Sequence, residues 1–224
     1  IVASRHSGVA PLGVFFEVAP IEEGADAPEI IDYVWSTPGI LAKARIGPLS
    51  AQVFTEAGDH VVSVAARTTA GRQLSAEITI RVADPDVFFA DEKTVCIAID
   101  AGFENCPAGA LQVVLNDQLS LKGAIQRYVG AEPRRILLRG NDRFMLDEHV
   151  QLNGDAELGP IHFGMFAAQD ADGNEAERPE LFAPDGVFSV IGVRDLRLTD
   201  WKLEVNSPNN QVHAIEVEGS STDI

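Results

Sequence analysis

The chain has 224 residues, 46% of them hydrophobic, and a formal net charge of -17 at pH 7. That apolar fraction excludes a disordered composition, and the length suits one large domain or two ordinary ones. The charge disfavours nucleic acid and anionic membrane surfaces, and no run of eighteen apolar residues predicts a membrane-spanning helix. A divalent cation, a cationic partner or plain solubility in a salty medium would each suit such a field.

Residues 1–83 read as all-β. A Gly/Pro-punctuated turn leads into an apolar strand at Ser7-Gly8-Val9-Ala10-Pro11-Leu12-Gly13-Val14-Phe15-Phe16. Val14, Phe16 and Val18 alternate on one face, as do Val62, Val64 and Ala66, and Ile78, Ile80 and Val82. Period-two alternation gives each strand one buried and one wet face, so two sheets must stack. Turns are predicted at Ala57-Gly58 and Ala70-Gly71. Trp35 is expected between the sheets, and His60 on a wet face. The order Gly8-Val9-Ala10-Pro11-Leu12, Tyr33-Val34-Trp35, Phe54, then Gly58-Asp59-His60-Val61-Val62-Ser63-Val64 resembles the polycystic-kidney-disease-type (PKD) immunoglobulin-like domain. The resemblance implies a spacer or docking sandwich. Such domains commonly follow the tryptophan with Asp-Phe-Gly-Asp-Gly. This chain has Ser36-Thr37-Pro38-Gly39, so no role of those acidic positions carries over.

Residues 84–91, opening on Asp84-Pro85-Asp86, are expected to be a linker, since Pro cannot extend a strand ladder. Residues 92–224 form the second region. Cys96 and Cys106 bracket a loop marked by Gly102 and Pro107, without CxxC or a neighbouring His. A disulfide is predicted, stabilising by roughly 2–3 kcal/mol and implying an oxidising compartment; two buried free thiols are the alternative. Leu119, Leu121, Ala124, Ile125, Tyr128 and Val129 fall near helical spacing, which predicts one amphipathic helix over 118–129. Asp117 or Ser120 would cap its start and Gly130 its end.

Short strands follow, at Ile136–Arg139, Phe144–Leu146, Val150–Leu152, Ile161–Phe166, Phe188–Ile191, Leu196–Leu198, Leu203–Val205 and Ile215–Val217. Leu196 and Leu198 share one face. Thr199-Asp200 shifts the phase, and Trp201, Leu203 and Val205 share the next. Ile215 and Val217 lie 19 residues beyond Leu196 and Leu198. Brief strands separated by corners, recurring near 20 residues, suit the coils of a solenoid, with the helix shielding its first coil. Residues 92–224 resemble the opening of a right-handed parallel β-helix of the pectate-lyase-like class. A second sandwich of antiparallel hairpins is the alternative, because alternation does not reveal pairing direction. The expected fold class is therefore all-β: a sandwich, then a β-helix onset with one capping helix. Both chain ends read as cuts from a longer polypeptide.

No nucleophile elbow, HExxH, P-loop or dinucleotide fingerprint is present. The five histidines lack ligand spacing, and His162, between Ile161 and Phe163, is expected to point away from the core. The candidate surface residues on consecutive strands are Asp195, Asp200, Trp201, Glu204, His213 and Glu216. Glu204 and Glu216 fall on outward positions, where carboxylates could serve sugar chemistry or simply be solvated. Asp170, Asp172 and Asn174 place oxygen ligands at alternate positions, a spacing compatible with Ca²⁺ but not an EF-hand, because Leu181 stands where the bidentate Glu belongs. No other cofactor is indicated. The expected function is a non-catalytic spacer, adhesion or assembly portion of a larger extracellular, cell-surface or virion-surface protein. Polysaccharide or protein subunits would be its partners. The alternative is the N-terminal part of a polysaccharide lyase or hydrolase whose catalytic coils lie elsewhere.

Overall fold

The computed structural model describes residues 1–19, 29–37, 47–130, 132–167, 174–184, 186–193, 195–205 and 214–218. It is all-β in class and divides into two units, Ile1–Phe88 and Phe89–Ile224.

Among the described residues of unit 1 there are seven strands: β1 (Val2–Ala3), β2 (Ser7–Val9), β3 (Leu12–Glu17), β4 (Ile30–Ser36), β5 (Leu49–Phe54), β6 (Gly58–Thr68) and β7 (Gln73–Ala83). One sheet has the order β1-β3-β5 and the other β2-β7-β6-β4; the described pairings are antiparallel except β2 with β7. Alternation along β3 buries Leu12, Val14 and Phe16 against Trp35, Phe54, Val62, Val64, Ile80 and Val82. The Trp35 indole donates to the Gly47 carbonyl at 3.0 Å, so its polar edge is satisfied where the ring is buried. Gly58 (φ 136°) and Gly71 (φ 77°) stand at the two predicted turns in conformations that favour glycine. His60 differs from expectation. It is half-buried, its ring 4.9 Å from that of Phe54, with Nε2 2.8 Å from the Glu56 carbonyl.

The expected linker is helical in part. Pro85 opens a single turn, α1 (Pro85–Phe88), and the Asp84 carboxylate accepts from the Asp86 amide at 2.8 Å. Pro suits a first helical position because its missing N–H would be orphaned there anyway.

Unit 2 begins with a 3₁₀ turn, Asp91–Lys93, then β8 (Thr94–Ala98), β9 (Leu111–Val114) and α2 (Leu121–Tyr128). The helix is shorter than predicted. Asn116 Oδ1 takes the amides of Gln118 and Leu119 and holds that segment in a turn, so Ser120 becomes the cap and accepts from Gly123 N. Val129 is already extended, so Gly130 is not the terminator. Among the described residues nine strands follow: β10 (Arg134–Arg139), β11 (Arg143–Met145), β12 (Val150–Leu158), β13 (Ile161–Phe166), β14 (Glu180–Ala183), β15 (Phe188–Val193), β16 (Leu196–Leu198), β17 (Lys202–Val205) and β18 (Ile215–Glu218).

The chain visits three sheets in strict rotation. β10, β13 and β16 join β8 and β9 in one sheet; β11, β14 and β17 form a second; β12, β15 and β18 form a third. Every described pairing among these strands is parallel, and none is the antiparallel hairpin of the alternative reading. Stacked interior rungs follow: Val95-Ile136-Phe163-Leu198, Phe144-Leu181-Leu203 and Val150-Phe188-Ile215. The predicted recurrence near 20 residues is corrected here. Leu196–Leu198 and Ile215–Val217 lie in different sheets, and true rungs are unevenly spaced (Arg135, His162, Arg197; Arg143, Glu180, Lys202) because the connections differ in length. β8, β9 and β14 had no counterpart among the predicted strands. β14 follows directly on the polar run ending at Pro179, and β8 lies within the stretch read as the cysteine loop.

Two features bound this stack. Helix α2 buries Leu121, Ala124 and Ile125 in the same core as the first rungs. On β18, Val217 continues the interior rung Leu152-Val190, yet it is 48% exposed where those two are buried.

Candidate functional site

In the first sheet of unit 2, β8 and the middle of β10 are buried on both faces, and there Val95-Cys96-Ile97-Ala98 and Ile136-Leu137-Leu138 read as unbroken apolar runs. Its outer face carries two covers. Over Cys96, Ala98, Leu137 and Phe166 lies the loop 99–110, pinned by the Cys96–Cys106 disulfide and by Phe103 stacked on Phe166 at 6.1 Å. Arg139 clamps the same loop, donating to Asp100 Oδ1 (2.5 Å), the Gly102 carbonyl (3.1 Å) and Asp142 Oδ1 (2.7 Å). Buried Asp142 accepts from the Ile99 amide with its other oxygen. The Arg139 hydrogen bond holds the Asp100 carboxyl below the usual carboxylate range, so both partners stay charged.

The second cover is Phe89, fully buried, beneath which runs a polar rung: Thr94, Arg135, His162 and Arg197, side by side on β8, β10, β13 and β16. Arg135 Nε donates to Thr94 Oγ1 (3.0 Å), Thr94 Oγ1 donates to the Phe89 carbonyl (2.6 Å), and Arg197 Nη2 meets Asp195 Oδ2 at 2.6 Å. The Arg135 guanidinium lies 6.0 Å from the Phe89 ring centroid and the His162 ring 6.3 Å from it. His162 Nε2 is 3.0 Å from Thr199 Oγ1, while buried Nδ1 has no hydrogen-bond partner. Gly164 leaves room for that pair: a Cβ there would stand 3.2 Å from Thr199 Oγ1 and 3.3 Å from His162 Nε2.

A hydroxyl and an imidazole 3.0 Å apart have the spacing of a nucleophile and its base. The electrostatics oppose that role. Burial, then the charges of Arg197 and Arg135, push the His162 pKa down to about 4, well below what a general base needs at neutral pH. The rung is a neutral imidazole set between two guanidiniums on the neighbouring parallel strands. His162 thus points away from the interior rungs, as its alternation with Ile161 and Phe163 suggests, but it is covered rather than wet.

The sequence-derived candidates are dispersed. Asp200 is exposed at a corner, in the left-handed conformation (φ 59°), and Asp195 occupies a similar corner (φ 58°). Trp201 is corrected: it is buried, its ring 5.2 Å from Phe163 and 6.1 Å from Phe188, and its indole donates to the Gly164 carbonyl at 2.5 Å. It cannot stack an external sugar. The Asp200 corner turns the chain so that position 201 faces inward. Glu204 and Glu216 are both exposed, but they belong to the second and third sheets and share no face. His213, Asp170 and Asp172 lie outside the described residues; Asn174 is described and exposed. Among the described residues no group of three His, Cys, Asp or Glu side chains is placed to hold a metal ion, and no helix is long and apolar enough to cross a membrane.

On the outer face of the second sheet, Arg143, Glu180 and Lys202 form a rung. Lys202 hydrogen-bonds Glu180 and holds its carboxyl below the usual range, while Arg143 Nε lies 3.8 Å from the same carboxylate. The next rung is Met145, Phe182 and Glu204, with the Arg143 guanidinium 5.7 Å from the Phe182 ring centroid. A carboxyl held ionised by its neighbours cannot donate a proton at neutral pH, so Glu180 is no general acid.

No family model matches the chain, and no curated protein matches it. Among solved structures the chain is similar to a 2,6-sialyltransferase from Vibrionaceae Photobacterium sp. JT-ISH-224, in a ternary complex with CMP and lactose, at 8% identity and a TM-score of 0.31. The match covers 79% of this chain and 40% of that one, and a likeness of this size carries no argument about fold or activity.

Proposed function

We propose that the chain is a non-catalytic structural and binding portion of a larger extracellular or particle-surface protein. In this reading, unit 1 is a PKD-type immunoglobulin-like spacer and unit 2 is the capped opening of a right-handed parallel β-helix. The observation that carries it is the strict rotation of parallel strands through three sheets, with α2 packed into the core of the first rungs. Stacked coils bury their faces against one another, which suits a rigid, extensible stalk.

The outward charges support a structural rather than a catalytic use. Arg143, Glu180 and Lys202 are spent on one another across adjacent strands, and His162 is held neutral beneath Phe89. The disulfide fits a secreted protein. The partners would be a polysaccharide or other protein subunits, met on the outer faces that carry Glu204 and Glu216.

The test has two arms on the 224-residue chain. Binding to a panel of polysaccharides and to cells should be detectable, while reducing-sugar and unsaturated-uronate assays on the same polysaccharides should stay blank. Sustained turnover that is lost in a Glu204→Gln or Glu216→Gln variant would replace this reading with an enzymatic one.

A further inference from the structure

Between Val82 and Thr94 one side chain, Phe89, is buried; the others are exposed or half-buried, and Val87 is 75% exposed. The Phe89 ring and its carbonyl, which accepts from Thr94 Oγ1 at 2.6 Å, tie this surface segment to the first sheet of unit 2. Just beyond, the chain is held separately. Asp91 lies close against Gly109, and Arg134 donates to the Glu92 carbonyl. Asp91 itself has left-handed backbone (φ 54°), a costly corner for a residue with a side chain, placed between the Phe89 anchor and the turn that follows.

What this anchor covers is ionisable. With its proton on Nε2, the neutral His162 ring donates to Thr199 Oγ1 at 3.0 Å and leaves a lone pair on Nδ1. A second proton would go to Nδ1, which is buried and has no hydrogen-bond partner among the described residues. It would also set a third positive charge between Arg135 on β10 and Arg197 on β16. Of the other groups around the ring, Thr94 and Thr199 do not ionise, and Asp195 is engaged by Arg197 Nη2 at 2.6 Å. The segment's own carboxylates, Asp84, Asp86, Asp91 and Glu92, are exposed.

We propose that residues 84–90 form an acid-released strap: Phe89 holds it down over the rung near neutral pH, and it lifts, turning at Asp91, when His162 takes up a proton. Lifting gives the imidazolium water and gives its Nδ1–H an acceptor. Burial is the largest cause that lowers the His162 pKa to about 4, so uncovering the ring returns it toward 6.5. The closed form refuses a proton that the open form accepts, and it therefore loses ground as pH falls below 6.5. Relative to pH 7.5, the open form gains up to about 30-fold by pH 5 and on the order of 100-fold by pH 4. Burying a phenylalanine side chain favours closure by on the order of 100-fold. The strap is thus closed at pH 7.5 and near balance at pH 4. The inference rests on the Phe89 cover and holds whether unit 2 is a spacer or the opening of an enzyme.

Fluorine NMR of the full chain labelled with 4-fluorophenylalanine tests it, the Phe89 signal being assigned by its loss in a Phe89→Leu variant. Between pH 7.5 and pH 4.5 the Phe89 signal should pass from a buried to a solvent-exposed position while the Phe163 and Phe188 signals stay in place. In His162→Gln the Phe89 signal should remain buried over the same range. A second measurement follows the His162 ring protons against pH in Phe89→Ala, where the uncovered imidazole should titrate at least about one pH unit above the wild type, a tenfold or greater change in proton affinity. Four results would each overturn the proposal: a Phe89 signal that stays buried to pH 4.5, one that moves equally in His162→Gln, one that moves only together with Phe163 and Phe188 as unit 2 unfolds, or a Phe89→Ala protein whose His162 titrates as in the wild type.

Discussion

His162→Gln is the most informative single change in unit 2. His162 is 8% exposed, covered by Phe89, and flanked by Arg135 on β10 and Arg197 on β16. Burial and the two guanidiniums lower its pKa from 6.5 to about 4. Between those values the unfolded chain takes up a proton that the folded chain refuses. The stability that accompanies the neutral imidazole is complete above pH 6.5 and is lost as pH falls toward 4. A separation of that size corresponds to about 2 kcal/mol lost by pH 5 and about 3 kcal/mol by pH 4. Glutamine does not titrate and retains an amide able to reach Thr199. Urea unfolding should be followed by Trp201 fluorescence in a Trp35→Phe background, so that the signal reports unit 2 alone. Carboxylates titrate in both proteins, so the readout is the difference between the two stability–pH curves. It should change by about 2 kcal/mol between pH 7.5 and pH 5, with the wild type losing more. Parallel curves over that range would refute the buried, cation-flanked imidazole.

Reduction of the Cys96–Cys106 disulfide should lower the stability of unit 2 by roughly 2–3 kcal/mol, measured by urea unfolding with and without a reductant; an unchanged midpoint would mean that Arg139 and Phe103 hold the loop unaided. Trp201→Ala removes a ring packed on Phe163 and Phe188 and should cost about 3–5 kcal/mol, whereas a surface tryptophan would cost under 1 kcal/mol. Gly164→Ala sets a methyl between His162, Thr199 and Leu137, and should destabilise by about 1–3 kcal/mol and flatten the pH dependence seen in the wild type. Asp200→Gly relieves a left-handed aspartate and should leave stability unchanged or raise it by up to about 1 kcal/mol; a loss beyond that would show that the carboxylate itself holds the corner.

Much of the architecture is written in local pattern. Alternation along Leu12–Phe16 and Val62–Ala66 places one set of side chains inside whatever the remainder of the chain does, because the side-chain period of a strand is two residues. Trp35, the turns at Gly58 and Gly71, the helix with its Ser120 cap and the Cys96–Cys106 loop are legible for the same reason: their determinants lie within a few residues. The phase shift at Thr199-Asp200 was legible as well, but its consequence for Trp201 was not. Which of two faces is the inside depends on strands that arrive from far along the chain.

What tertiary structure alone decided is the pairing. Arg135, His162 and Arg197 have no sequence relation that marks them as neighbours, and the uneven connections between strands hide the recurrence of each rung. Parallel register set them side by side, and Phe89 with the disulfide loop covered a sheet face that alternation alone would assign to water. The same rule separated Glu204 from Glu216, because consecutive strands of this chain enter different sheets. Composition and periodicity are properties of a segment and can be read from it. Register, the second cover on a sheet and the pKa of a buried imidazole are properties of what packs against that segment, and they exist once the distant parts of the chain have met.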